Sequence, residues 1–249
     1  MSLSFGFDNN IFSLNKVSLP SRYYYFKEKQ NYVKLVSVGE GLFPKDKINN
    51  TIKLTNSSLV LASESATKVY KSSEHFAINR FDFELQNSNL EFLNDELILF
   101  KNSKLLQFFS LNFDENSTFF YTDLLSSGRS FENYDFSSLH VKNKFLHNGI
   151  LEYLEEYEIG GNEVKKYLED FSLDKRLFAK VYVKIKNSES FTCKLLHVNV
   201  NSYEYTQNKA FLIVLVSGET IGDLKSKIKE IWKIYREESG LKEFDLGKF

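Results

Sequence analysis

Four histidines and one cysteine are the strongest metal ligands in this 249-residue chain, and they are scattered: His75, His140, His147, His197 and Cys193. A borderline transition ion takes imidazole, thiolate and carboxylate donors, and no dense cluster of these occurs. Cys193 and His197 are four apart in a segment that reads as a strand, so they would share a face yet lie about 13 Å apart, too far for one ion. A tight all-protein metal site is therefore not expected. Weaker chemistry stays open. Carboxylates such as Asp46, Glu91 and Asp123, if they face an internal channel, would offer passing oxygen ligands and a negative potential that draws a cation inward. As solvated or turn-capping acids they would do neither, and Asp46 suits a cap for the turn after Pro44. Arg129, after Gly128, is a candidate partner for one of these acids. Strand alternation puts Thr67 and Val69 on one side and Lys68 and Tyr70 on the other. The last two would line a solvated passage or simply face water from an edge strand. No nucleophile elbow, phosphate loop, dinucleotide fingerprint or zinc-protease helix is present, so catalysis is not expected.

The elements that must position these groups are mostly strands. From about Tyr32 to Lys144, short apolar runs are separated by Asn, Ser, Gly and Asp at the spacing of an all-β layered fold. In His75 to Leu85 the alternation changes phase at Asn79-Arg80, which predicts a bulge or register change. The β pattern returns in 178–185, 191–200 and 211–216. Val181, Val183 and Ile185 alternate with Lys180, Tyr182, Lys184 and Lys186, which predicts one wet face. One helix is expected near 163–177, from Val164, Tyr167, Leu168 and Phe171. A second is expected near 220–239, where Thr220 and Asp223 form an acidic capping box and Gly240 a stop. No internal repeat of fixed period stands out, and a single domain over 1–249 is the simplest organisation.

Composition narrows the class. With 32 basic and 33 acidic side chains the net charge is close to zero, which argues against a nucleic-acid binder and leaves little to steer the chain onto anionic lipid. No run reaches the roughly 18 apolar residues of a bilayer span. A lone cysteine and the lack of a secretory pattern in the first residues lead us to expect a cytosolic protein.

The run Ser65-Ala66-Thr67-Lys68-Val69-Tyr70-Lys71 resembles the most characteristic segment of the UreD/UreH family of urease accessory proteins, with its Ala-Thr-Lys-Val-Tyr core. Other family landmarks lie in order around it. Glu40-Gly41-Leu42-Phe43-Pro44-Lys45-Asp46 is similar to the family's glycine-rich turn, with Lys45 where glycine is usual. Leu90-Glu91-Phe92-Leu93 and Ile98-Leu99-Phe100 resemble two family strands, with Asn94 in place of proline. Asp123-Leu124-Leu125-Ser126-Ser127-Gly128-Arg129 is similar to the acidic-apolar strand that closes in Gly-Arg. The following Gly-Glu is missing, and Asn133-Tyr134-Asp135-Phe136 keeps only its aromatic. The resemblance, clearest over 39–136, implies a β-helix-like stack of strands with a few helices. It also implies a scaffold that turns nothing over, binds apo-urease on one side and UreF on the other, and recruits the GTPase UreG through UreF. In this picture nickel passes in transit to the urease active site and no cofactor is held stably. Apolar surface reserved for partners predicts poor solubility of the isolated chain.

Two rivals from other classes remain at this point. A β-rich small-ligand or glycan-binding module would explain the 24 phenylalanines and 14 tyrosines, but it needs exposed aromatic platforms. An enzyme on a β-helical fold needs clustered acids with perturbed pKa values.

Overall fold

Strand after strand places apolar side chains at every second position, and the middle of the chain stacks these strands in parallel, with antiparallel pairs such as Ser2–Asp8 with Ile11–Val17, Ser21–Lys27 with Asn31–Ser37 and Ser138–His147 with Ile150–Ile159 at its ends. The structure, a computed structural model, describes residues 2–27, 30–129, 131–171, 173 and 177–247. One seven-stranded sheet contains β1 (Ser2–Asp8), β2 (Ile11–Val17), β5 (Lys47–Thr55), β8 (Ala77–Gln86), β11 (Lys104–Phe113), β13 (Ser138–His147) and β14 (Ile150–Ile159). The facing sheet contains β3 (Ser21–Lys27), β4 (Asn31–Ser37), β6 (Ser58–Ser63), β9 (Asn89–Leu93), β12 (Thr118–Ser126), β15 (Leu177–Lys184), β16 (Ser202–Tyr205) and β17 (Leu212–Gly218). Two short strands, β7 (Thr67–Val69) and β10 (Leu97–Leu99), pair with each other and close a third side. β5, β8, β11 and β13 pair in parallel, as do β4, β6, β9 and β12. The middle of the chain is thus a β-solenoid, mainly β as the strand spacing predicts and β-helix-like as the family resemblance implies.

The turns that join one sheet to the other repeat. Asn56-Ser57-Ser58, Asn87-Ser88-Asn89 and Asn116-Ser117-Thr118 occupy the same corner of successive coils. Ser57 N–H donates to Ser88 Oγ, and Ser88 N–H donates to Ser117 Oγ, both at 3.1 Å. The corner serines are 31 and 29 residues apart. Asn56 and Asn87 have φ of 47° and 45°, the left-handed conformation that asparagine tolerates better than most residues. A three-residue signature against drifting strand sequence is too weak to register as a repeat by eye.

Odd and even positions of the second sheet face different partners. Leu59, Leu61, Leu90, Phe92, Phe119, Tyr121 and Tyr182 point between the sheets into one core cluster. Val60, Ala62, Leu93, Phe120, Leu124, Val181 and Val183 point outward and are covered by the helix α3 (Ile221–Glu238) through Leu224, Ile228, Ile231, Trp232 and Tyr235. α3 starts where its cap predicts, with Thr220 Oγ1 accepting from Asp223 N–H at 3.1 Å. No helix among the described residues is long and apolar enough to cross a membrane.

Four local expectations are corrected. Segment 191–200 is not a strand: its first half lies in a third helix, α2 (Ser188–Leu195), capped by Asn187, which accepts from Ser190 N–H. Phe191 and Leu195 are buried at helical spacing, a pattern that a short apolar run shares with a strand. Cys193 and His197 are thus about one helical turn apart rather than 13 Å, both exposed, and among the described residues no group of three or more metal-binding side chains forms. β8 shows no bulge at Asn79-Arg80, because Asn79 itself points inward and alternation runs unbroken from Ala77 to Leu85. β15 has no fully wet face, since Tyr182 is buried between the sheets. The earlier helix, α1 (Gly161–Asp170), stops short of 177, where β15 begins; residues 172 and 174–176 of that span lie outside the described residues.

Candidate functional site

The feature that a solenoid core does not need is a row of polar side chains inside it. Asn50 on β5, Asn79 on β8, Gln107 on β11 and Asn143 on β13 all point between the sheets, and none is more than 5% exposed. Asn79 and Gln107 are directly paired, and Asn143 pairs with Glu155 on the next strand. Asn50 and Asn143 sit opposite Phe81 and Phe109, two residues further along than the Asn79–Gln107 pair, so the polar groups cross the strands as a stepped seam, over about 19 Å from β5 to β14 at the usual strand spacing. Across from it on the second sheet stand Ser21, Ser63, Asp123 and Lys180. A β-helix can fill its interior with aliphatic residues alone, and buried polar groups are costly unless satisfied, so this seam is a candidate functional element.

Its two halves differ. Beyond Gln107 the seam is filled by its own hydrogen bonds. Gln107 Nε2 donates to Asp123 Oδ1 at 3.3 Å, and Asn143 Nδ2 donates to Glu155 Oε2 at 3.0 Å and Tyr182 Oη at 3.1 Å. Lys180 donates to Glu155 and faces Asp123 across the strand pair. Burial pushes the Asp123 carboxyl up, Lys180 pulls it back, and Glu155 adds to the upward push. Towards β1 the seam opens into a cavity of about 150 Å³ whose lining includes Ser21, Asn50, Ser63, Asn79, Thr67 and Lys68.

The motifs that carry the family resemblance build this opening. Leu42 N–H donates to Lys68 O at 2.8 Å and Tyr70 N–H to Leu42 O at 2.9 Å, so the glycine turn docks along β7 as an extra strand. A Cβ at Gly41, where φ is 149°, would overlap the Lys68 carbonyl. Glycine is required there by that close approach. Lys45, in the place of a usual glycine, has φ of 73°. An L-residue is strained in that region, so Lys45→Gly should raise stability by about 1 kcal/mol, read as a later urea midpoint; an earlier midpoint would show that the lysine side chain compensates.

The three carboxylates separate into different roles. Asp46 caps its turn, accepting from Phe43 N–H at 2.9 Å. Glu91 points away from the seam towards α3, where Arg236 Nη1 at 2.5 Å and Trp232 Nε1 at 2.6 Å donate to it, and it is 1% exposed. Only Asp123 reaches the inter-sheet space. Arg129 does not pair with any of the three: its guanidinium lies 4.9 Å above the Phe100 ring. Gly128, at φ 121°, lets the loop fold back on Glu132, whose carboxylate accepts from Arg129 N–H at 2.9 Å and Lys101 N–H at 3.1 Å. The loop therefore folds around a glutamate of its own, Glu132. Thr67 and Lys68 line the cavity, whereas Tyr70 stacks on Phe43 at 4.5 Å and donates to Glu40 Oε2 at 3.2 Å. Glu155, Lys180 and the inward amides were missed because a lone amide among apolar residues looks like a break in the pattern, as Asn79 did.

A family profile described as UreD urease accessory protein matches residues 19–245. The chain belongs to the UreD family. It is 47% identical over 249 residues to the urease accessory protein UreD of Aliarcobacter butzleri, covering 100% of both chains. It is 35% identical over 105 residues to UreD of Staphylococcus epidermidis, covering 41% of this chain and 38% of that one. With UreD of Staphylococcus aureus it shares 24% identity over 238 residues, 87% of this chain and 81% of that one. A UreD-family chain is an accessory protein of urease and not a catalyst, so Asp123, although its carboxyl is pushed up by burial and lies near Glu155, is not read as half of an acid–base pair. The aromatic residues agree: the large stack that includes Phe83, Phe92, Phe109 and Tyr121 is buried between the sheets, not displayed as sugar platforms.

Proposed function

We propose that this UreD-family protein is the scaffold on which nickel is delivered to apo-urease, with UreF bound at a second surface, UreG recruited through UreF, and the inter-sheet seam as the route for the ion. The observation that carries the reading is the coincidence of a polar seam along the solenoid axis with edge strands that expose apolar residues at both ends of that axis. At one end β2 exposes Ile11, Leu14 and Val17; at the other β14 exposes Ile150, Leu151 and Leu154. Exposed apolar residues on edge strands are a liability that proteins normally blunt with charge or cover. Two such edges suit two partners. Asp123 and Glu155 against Lys180 leave the β14 half of the seam one negative charge in excess, which favours a cation, while the amides offer neutral oxygens that hold it weakly enough for release.

The test is a pull-down of the tagged chain with UreF, UreG and apo-urease, followed by the nickel content of urease made with and without it. The isolated chain should aggregate and UreF should keep it in solution. A soluble monomer with no affinity for UreF, or fully metallated urease at limiting nickel in its absence, overturns the reading.

A further inference from the structure

The cavity at the open end of the seam has a chemistry that the passage of a cation does not explain. Ser21, Asn50 and Asn79 line it and are each more than nine-tenths buried. Ser21 Oγ has no hydrogen-bond partner, and among the described residues neither amide side chain takes one. Buried polar side chains are normally satisfied. Ser21 Oγ is buried without a partner and the two amides converge with it on one space, which makes that space complementary to a polar occupant.

The rim fixes the sign of that occupant. Arg22 and Lys68 both line the cavity and are exposed, and among the described residues neither side chain has an ion-pair or hydrogen-bond partner. Glu40 is the single acid in the lining among the described residues, and it accepts from Tyr70 Oη at 3.2 Å. Among the described residues no histidine or cysteine lines it. Two cations against one engaged acid repel a metal ion and attract an anion, and the serine hydroxyl and amide N–H groups behind them are donors that oxyanions accept. The cavity, about 150 Å³ and open on one side, has room for a small polyatomic ion.

We propose that this cavity binds a small oxyanion of formate or bicarbonate size, held by Arg22 and Lys68 at the rim and by Ser21, Asn50 and Asn79 within. The site stands independently of whether nickel uses the seam. If nickel does, a bound oxyanion would neutralise the positive rim and present an oxygen ligand at its entrance.

The experiment titrates ¹³C-formate into the full-length protein, following its line width, with bicarbonate and chloride as competitors at constant ionic strength. Saturable broadening that bicarbonate reverses and chloride does not is the expected result. Arg22→Gln and Lys68→Gln, both at exposed side chains and so harmless to folding, should each weaken binding roughly tenfold, the loss of one charge-assisted hydrogen bond. Glu40→Gln should tighten it. No saturable binding, equal competition by chloride, or unchanged affinity in the Arg22→Gln/Lys68→Gln double variant overturns the proposal. Because urease and nickel are absent from the measurement, that failure would leave the scaffold reading untouched.

Discussion

Replacing Arg236 with methionine should destabilise the fold by roughly 3–5 kcal/mol, the cost of leaving a buried partner charge uncompensated. Arg236 is 3% exposed and ties three parts of the chain together: its Nη1 donates to Glu91 on β9, its Nε and Nη2 to Lys242 O in the tail, and its Nη2 to Gln30 Oε1. Methionine keeps the apolar contact with Trp232 but strands an ionised carboxylate beneath α3. Adding Glu91→Gln removes that charge while leaving an oxygen for Trp232 Nε1, so the double variant should recover part of the loss. Urea midpoints of the parent, both singles and the double give the coupling; a loss below about 1 kcal/mol for Arg236→Met would show that the pair is not a clamp. The pH dependence has a definite sign. Burial already pushes the Glu91 carboxyl up against the pull of Arg236. Without the arginine it rises further, and a group with a raised folded pKa favours the fold below its unfolded value and ceases to as pH rises through the folded one. The deficit of Arg236→Met should therefore shrink on acidification into the ordinary carboxylate range.

This clamp shows where sequence reasoning succeeds and where it stops. Helix α3 is legible because Ile221, Leu224, Ile228, Ile231 and Trp232 repeat at helical spacing behind a capping threonine, all local facts. Glu91 is legible as an acid in a strand, but its partner lies 145 residues away. Nothing local says which face of β9 it occupies, so an inward channel role and an outward ion pair read alike. The glycine turn and the Ala-Thr-Lys-Val-Tyr segment are legible as local motifs, and the structure packs them against each other at the cavity mouth, Gly41 against the Lys68 carbonyl. The seam behind them is illegible for the opposite reason. Each strand contributes one polar residue, and a single amide carries no signal until parallel stacking sets it beside, or one step from, those of its neighbours. The missed helix α2 fails on length, being too short for periodicity to separate Phe191 and Leu195 from a strand.

Asp123→Asn should cut nickel delivery to urease roughly tenfold, the range in which loss of a group ordering a metal's path acts, without destabilising the protein at neutral pH. The two halves of that expectation have one cause. Burial holds the Asp123 carboxyl above its ordinary value despite Lys180, so ionising it in the folded state costs stability. By linkage, the stability it contributes is present below its unfolded pKa and lost as pH rises through the raised folded one. Asparagine retains an oxygen for Gln107 Nε2 and removes the charge, and Lys180 keeps Glu155 as its partner. At neutral pH the variant should thus be as stable as the parent or more so, and the parent should lose ground to it as pH climbs from the acid side. Nickel content of co-expressed urease, read beside thermal unfolding at several pH values, separates the possibilities. Parental nickel content would sink the idea that the seam conducts, and lost stability would make Asp123 a structural acid whose effect on delivery is indirect. Gained stability with lost delivery has one physical meaning: the chain keeps a buried charge that its fold would be better without, because the ion it passes needs that charge.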